Sequence, residues 1–121
     1  MTRASAVTGA LPEPSSDVQA AGAPALLVLT YDVLDADRLA RYRDAATPAL
    51  LGEGGGVLVI STARTEHLPE ASSSGTHTVV LRFDDADHAR RVYESEAYQA
   101  VVGERLAATT PRIAMIVPGV P

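Results

Sequence analysis

Val79 to Gly119 reads VVLRFDDADHARRVYESEAYQAVVGERLAATTPRIAMIVPG. An apolar run closes at Phe83, as a strand would. Asp84 and Asp85 then offer carboxylates to the free N–H groups of a helix start. The helical stretch runs to about Ala108 and breaks near Ser95, which can cap its second half. Arg112 to Val117 is again an apolar run and predicts a closing strand. Strand, helix and strand over this length make one crossover unit, and such units are right-handed.

Upstream, the same unit is read a second time. Ala25 to Val33 (ALLVLTYDV) is apolar on both faces, as a central strand is. Asp35 offers a cap, with Asp37 in the first turn. Leu39, Tyr42, Ala46, Ala49 and Leu50 recur at helical spacing, so a helix runs to about Leu51, with Pro48 expected to kink it or end it early. Gly52-Glu53-Gly54-Gly55-Gly56 terminates it. Val57 to Thr62 is a second strand, residues 63–75 a polar connection that is partly strand and partly loop, and Thr76 to Phe83 a third strand. The order β-α-β-β-α-β predicts an α+β domain of ferredoxin-like plan, a four-stranded antiparallel sheet with two helices on one face.

The other face of that sheet has no cover in this plan. Yet strand residues of both parities are apolar: Leu26 and Val28 beside Leu27 and Leu29, Ile113 and Met115 beside Ala114 and Ile116. An exposed apolar sheet face marks an interaction surface, and a two-fold homodimer with sheets face to face is the expected partner arrangement. The folded domain is expected over residues 25–121. Residues 1–24, rich in Ala, Ser, Pro and Gly without a sustained period, read as a disordered leader.

At 121 residues and 46% hydrophobic content, the chain is one domain with enough apolar side chains for a core. It has no cysteine, which excludes disulfides, thiolate metal sites and a cysteine nucleophile. A net charge of −5 argues against a nucleic-acid partner. All ten basic residues are arginine, a usage that a GC-rich codon bias accounts for. No apolar run reaches membrane-spanning length and no signal-peptide pattern opens the sequence, so the expectation is a cytoplasmic protein with no membrane partner.

The helix phrase Tyr93-Glu94-Ser95-Glu96-Ala97-Tyr98-Gln99, the arginine that follows it at Arg105, the first-helix Tyr42 and the glycine pair Gly55-Gly56 together carry a resemblance. Over about residues 26–119 the chain resembles domain-of-unknown-function family 1330, within the dimeric α/β-barrel superfamily. The resemblance implies a dimeric α/β barrel and a small-molecule pocket between sheet and helices. It departs from the family pattern where the pocket would lie. Val57 stands where a basic residue is usual, only Glu70 remains of an acidic phrase before the third strand, and His77 replaces an arginine opening that strand.

Three residues are the catalytic candidates: His77, Tyr31 and Tyr93. His77 shares a strand face with Val79, Leu81 and Phe83, and imidazole can both take and give a proton near neutrality. The competing reading is a structural histidine, hydrogen-bonded at a strand end. A tyrosine combines apolar area with one hydroxyl, suited to holding a carbonyl or enolate oxygen; the competing reading is core packing. Tyr42, Tyr98 and Phe83 are candidates for lining a substrate pocket. Arg64 and Arg105 could hold a ligand carboxylate bidentately or form salt bridges.

His67 and His88 read as exposed. The histidines lack His-x-x-x-His spacing, so no metal site is expected, and Gly52 to Gly56 lacks the context of a phosphate loop. The expected function is cofactor-free acid–base chemistry on a small carbonyl substrate, by cyclisation, isomerisation or dehydration, in secondary-metabolite biosynthesis. A cofactor-free oxygenase acting on a phenol and a non-catalytic ligand-binding or scaffold dimer are the alternatives.

Overall fold

The computed structural model describes residues 22–72 and 74–119. The expected leader lies outside the described residues as far as residue 21. Four strands are described: β1 (Ala25–Val33), β2 (Val57–Thr62), β3 (His77–Phe83) and β4 (Thr109–Pro118). They form one sheet of order β2-β3-β1-β4, in which all neighbours run antiparallel. The long helix α1 (Ala36–Leu51) joins β1 to β2, and α2 (Ala86–Tyr93), α3 (Glu96–Gln99) and α4 (Val102–Ala108) join β3 to β4. This is the ferredoxin-like βαββαβ order.

The strand pairing sorts the side chains into two faces. Leu27 lies opposite Leu81, Leu29 opposite Val79, and Tyr31 opposite His77. These residues face the helices. The core there is made by Leu27, Leu29, Leu81 and Phe83 against Leu39, Ala46, Leu50, Ala89 and Tyr98, all buried. Val28, Val80 and Met115 belong to the opposite face. Met115 remains 47% exposed, and at the β2 end of the same face Val57 is 66% exposed.

Local chemistry starts and stops the elements. Asp35 caps α1 by accepting from the Arg38 N–H at 3.0 Å, and Asp85 caps α2 by accepting from the His88 N–H at 2.7 Å. Gly54 takes φ +78° in the turn after α1, a conformation that favours glycine. Gly56 is small for a different reason: a Cβ there would stand 2.8 Å from both the Phe83 ring and the Arg82 carbonyl oxygen. The first glycine serves the turn; the second lets two chain segments touch.

The structure corrects four expectations. Pro48 neither ends nor shortens α1, which continues to Leu51. Pro48 lies on an exposed part of the last turn, while Ala46 and Leu50 are buried and hold that turn on the core. The second helical stretch breaks twice. Ser95 caps α3 as expected, accepting from the Tyr98 N–H at 3.2 Å, but α4 starts again after Val101 without a side-chain cap.

β4 begins three residues before Arg112. The pairing slips between Thr30 and Tyr31, so that Thr30 lies opposite Ile113 and Tyr31 opposite Pro111. Arg112 is the extra residue of this bulge, which also accommodates a proline that has no N–H to give. Finally, the described part of residues 63–75 contains no strand.

Candidate functional site

A partly open cavity of about 150 Å3 lies between the helix-facing side of the sheet and α1. Leu29, Val79 and Leu81 from the sheet, with Ala46 and Leu50 from α1, give it apolar walls. These positions follow from the periodicities: every second residue on β1 and β3, every fourth on α1. The polar groups in the lining include Tyr31, Tyr42, Ser61 and Arg105.

Behind the wall lies a chain of buried hydroxyls ending on a guanidinium. Arg105 is 4% exposed and Tyr98 fully buried. Arg105 Nη1 donates to the Tyr98 hydroxyl at 2.9 Å, and Nη2 donates to the Tyr93 hydroxyl at 3.2 Å. The Tyr98 and Tyr42 hydroxyls are 2.6 Å apart. The direction of that last bond follows from satisfaction. Tyr98 oxygen already accepts from Arg105, and its own buried proton has the Tyr42 oxygen as its acceptor among the described residues. The order of donation is therefore Arg105 to Tyr98 to Tyr42, which leaves the Tyr42 proton for whatever occupies the cavity.

The electrostatics agree with neutral phenols. Burial pushes the Tyr98 hydroxyl well above the ordinary tyrosine range, and donation to Tyr42 pushes it further. Burial also raises Tyr42, against the lowering effect of the hydrogen bond from Tyr98 and of the nearby Arg105 charge. For Arg105, burial works against the charge, and the oxygens of Tyr98, Tyr42 and Tyr93 more than offset it, so the guanidinium stays protonated.

The candidate residues distribute as follows. Tyr31, Tyr42 and Arg105 line the cavity. His77 does not line it. It lies one strand pair beyond Val79 on the same face and stacks on the Tyr31 ring, with centroids 5.6 Å apart and planes 16° apart, at the rim. Its Nδ1 is 3.0 Å from the Thr76 hydroxyl. Tyr98 stands behind the wall, and Tyr93 borders a separate groove with Leu27, Ala114, Met115 and Ile116. Phe83 is a core residue packed edge-on to His88, at 5.2 Å and 88°. Arg64 is exposed, in the connection after β2.

Two histidine expectations divide. His67 is exposed, with Nε2 2.8 Å from the Gly75 carbonyl oxygen. His88 is not exposed: its side chain retains 13% of its surface. Nδ1 accepts from the Asp84 N–H at 3.2 Å, and Nε2, protonated in that arrangement, donates to the Gly54 carbonyl at 2.6 Å. The expectation of an Arg105 salt bridge also fails. Among the described residues Arg105 has no carboxylate partner, because α4 presents it inward to tyrosines rather than outward to the acidic surface.

Sequence reasoning missed Ser61 and Leu58, which reach the lining although residues 58 and 61 differ in parity. A bulge between Leu58 and Ile60 shifts the face of β2, and nothing in the sequence VLVIST signals it. No group of three or more metal-binding side chains occurs among the described residues, and none of their helices is long and apolar enough to cross a membrane.

Comparison with known proteins gives a family and a fold. A protein of unknown function from Rhodopseudomonas palustris, RPA0582, has a similar crystal structure: TM-score 0.66 at 13% sequence identity, covering 83% of this chain and 85% of that one. At that identity the likeness shows the fold alone. No curated protein matches the chain. The profile of the family described as domain of unknown function (DUF1330) matches residues 24–120, which is nearly all of the described structure, and the chain belongs to that family.

Proposed function

We propose that this protein is a cofactor-free acid–base enzyme acting on a small, compact carbonyl compound, as a homodimer. The observation that supports this most is the apolar cavity with a hydrogen-bond donor, Tyr42, at its wall and a histidine stacked on Tyr31 at its rim. The reaction class is a proton shift next to a carbonyl, as in isomerisation, cyclisation or dehydration. His77 Nε2 takes a proton from a carbon beside the carbonyl. The electrons of that C–H bond pass to the carbonyl oxygen, which becomes an enolate and is held by the Tyr42 hydroxyl. The imidazolium then returns the proton at another position. Nothing is oxidised and no co-reactant is consumed. Donation from Nδ1 to Thr76 would leave the Nε2 lone pair free for this role.

The dimer part of the proposal rests on the sheet's outer face, where apolar residues from all four strands lie side by side without cover from the helices. A second reading, a non-catalytic ligand-binding dimer, is favoured by one observation: none of the described residues lining the cavity carries a carboxylate or an imidazole.

Proton exchange separates the two. The protein is mixed in heavy water with a panel of small 1,3-dicarbonyl and β,γ-unsaturated carbonyl compounds, and deuterium uptake is followed by proton NMR. The enzyme reading expects catalysed exchange that falls by about 10²–10⁴ in His77→Asn. Ligands that bind without any catalysed exchange would establish the binding reading and overturn the enzyme.

A further inference from the structure

Among the described residues no carboxylate answers the charge of Arg105. The surface arginines Arg38, Arg90 and Arg112 sit 2.8, 2.9 and 2.9 Å from Glu104, Asp87 and Asp32. The buried Arg105 guanidinium instead donates to the Tyr98 and Tyr93 hydroxyls and lies 6.0 Å from the centroid of the Tyr93 ring. A cation that has lost its water and gained no anion is costly to keep, and buried charges in proteins are as a rule paired. Here that cation also lines a cavity, and Tyr42, at the end of the hydroxyl chain beside it, lines the same space with its proton left over once Tyr98 donates to it. The inner wall thus offers one positive charge and one neutral donor.

From this geometry we infer that the ligand is an organic monocarboxylate whose carboxylate is the missing counter-ion of Arg105. The inference rests on the proposed function and narrows its carbonyl substrate to an oxo or unsaturated acid. A guanidinium matches the planar, two-oxygen shape of a carboxylate. The walls set the rest of the molecule. They are apolar, and a cavity of about 150 Å3 has room for a body of roughly one six-membered ring. A bare phosphate or sulfate would leave that apolar space unfilled. Arg43, exposed on α1, also lines the cavity and adds a second positive charge beside it on a molecule whose net charge is −5. An anion is thereby drawn to a local reversal of the overall field. With the carboxylate on Arg105, the Tyr42 proton remains for the carbonyl or enolate oxygen.

The test compares benzoate with benzamide, which share shape and differ in charge. Titration calorimetry of the full chain is expected to show benzoate binding at least about tenfold more tightly than benzamide, in keeping with a charge-assisted hydrogen bond. Arg105→Met is expected to abolish that preference, so that benzoate binds no more tightly than benzamide. It should also melt close to the wild type, because losing an unpaired buried charge offsets losing its hydrogen bonds. Equal binding of the two probes to the wild-type protein would overturn the carboxylate assignment and leave the cavity reading standing. Failure of both to bind at millimolar concentration would overturn both. The wild-type comparison decides the matter even if Arg105→Met does not fold. A variant that folds and keeps the benzoate preference would show that another group carries it and would overturn the inference.

Discussion

Tyr98→Phe removes one oxygen from the most enclosed part of the molecule and nothing else. The ring stays, with its edge-on contact to Tyr42 (6.3 Å, 75°) and its tilted contact to Tyr93 (5.1 Å, 45°), so no cavity is opened. What is lost is a hydrogen bond from a charged donor at 2.9 Å and another to Tyr42 at 2.6 Å. A buried guanidinium N–H left without an acceptor, together with the lost pairing, costs about 2–4 kcal/mol. For a domain of this size that lowers the melting temperature by roughly 10–20 °C.

Tyr93→Phe is the internal control. Tyr93 is half-buried and its hydroxyl accepts at 3.2 Å, so water can replace it, and the loss should be about 0.5–1.5 kcal/mol. Because most of the Tyr98 penalty is an orphaned cation, adding Arg105→Met should recover most of it. Urea unfolding of the two single variants, Arg105→Met and the Tyr98→Phe/Arg105→Met pair, at fixed protein concentration, measures all of this. The reasoning is refuted if Tyr98→Phe costs no more than Tyr93→Phe, or if the double variant is as unstable as the sum of its parts.

Gly56→Ala should lose about 1–3 kcal/mol in the same assay, since its methyl group meets the Phe83 ring and the Arg82 carbonyl at 2.8 Å. Tyr42 and Tyr98 have folded-state pKa values raised above the ordinary tyrosine value. Their neutral forms therefore stabilise the fold fully below about pH 10, and that stabilisation is lost as the pH rises further, so phenolate absorbance from these two should appear only together with unfolding. Light scattering at micromolar concentration should give about twice the chain mass of 12.6 kDa, and Val28→Asp on the outer sheet face should halve it; a monomeric wild type would remove the dimer.

The elements legible in the sequence were those whose signals are local. The alternation of Leu27, Leu29 and Tyr31, the cap at Asp35 and the spacing of Leu39, Tyr42, Ala46 and Leu50 each act within a few residues, and they fold as they read. The early start of β4 was not legible, because Thr109 to Pro111 read as the connection between helix and strand, and only a bulge in the pairing with β1 makes room for Pro111 and Arg112. The same holds for the site. Tyr42 and Arg105 could be named singly, but the chain that joins them runs through a contact between residues 56 apart in sequence. Nor does strand parity tell how far along its face His77 stands. It shares the side of Val79 and Leu81 yet falls one pair beyond the lining.

The His88 ring, held between the Asp84 N–H and the Gly54 carbonyl and packed on Phe83, sets where the protein tolerates added sequence. It rivets the turn after α1 to the start of α2, two places 34 residues apart. Any insertion between Gly52 and Gly56 would pull that carbonyl off the ring and drag the entry to β2 away from Phe83. Among the described residues the exposed stretch from Glu66 to Ser72 has no such fastening to any of the helices, and lengthening a loop of this kind adds little closure entropy. A reporter peptide or a fused domain belongs there, since none of these residues lines the cavity.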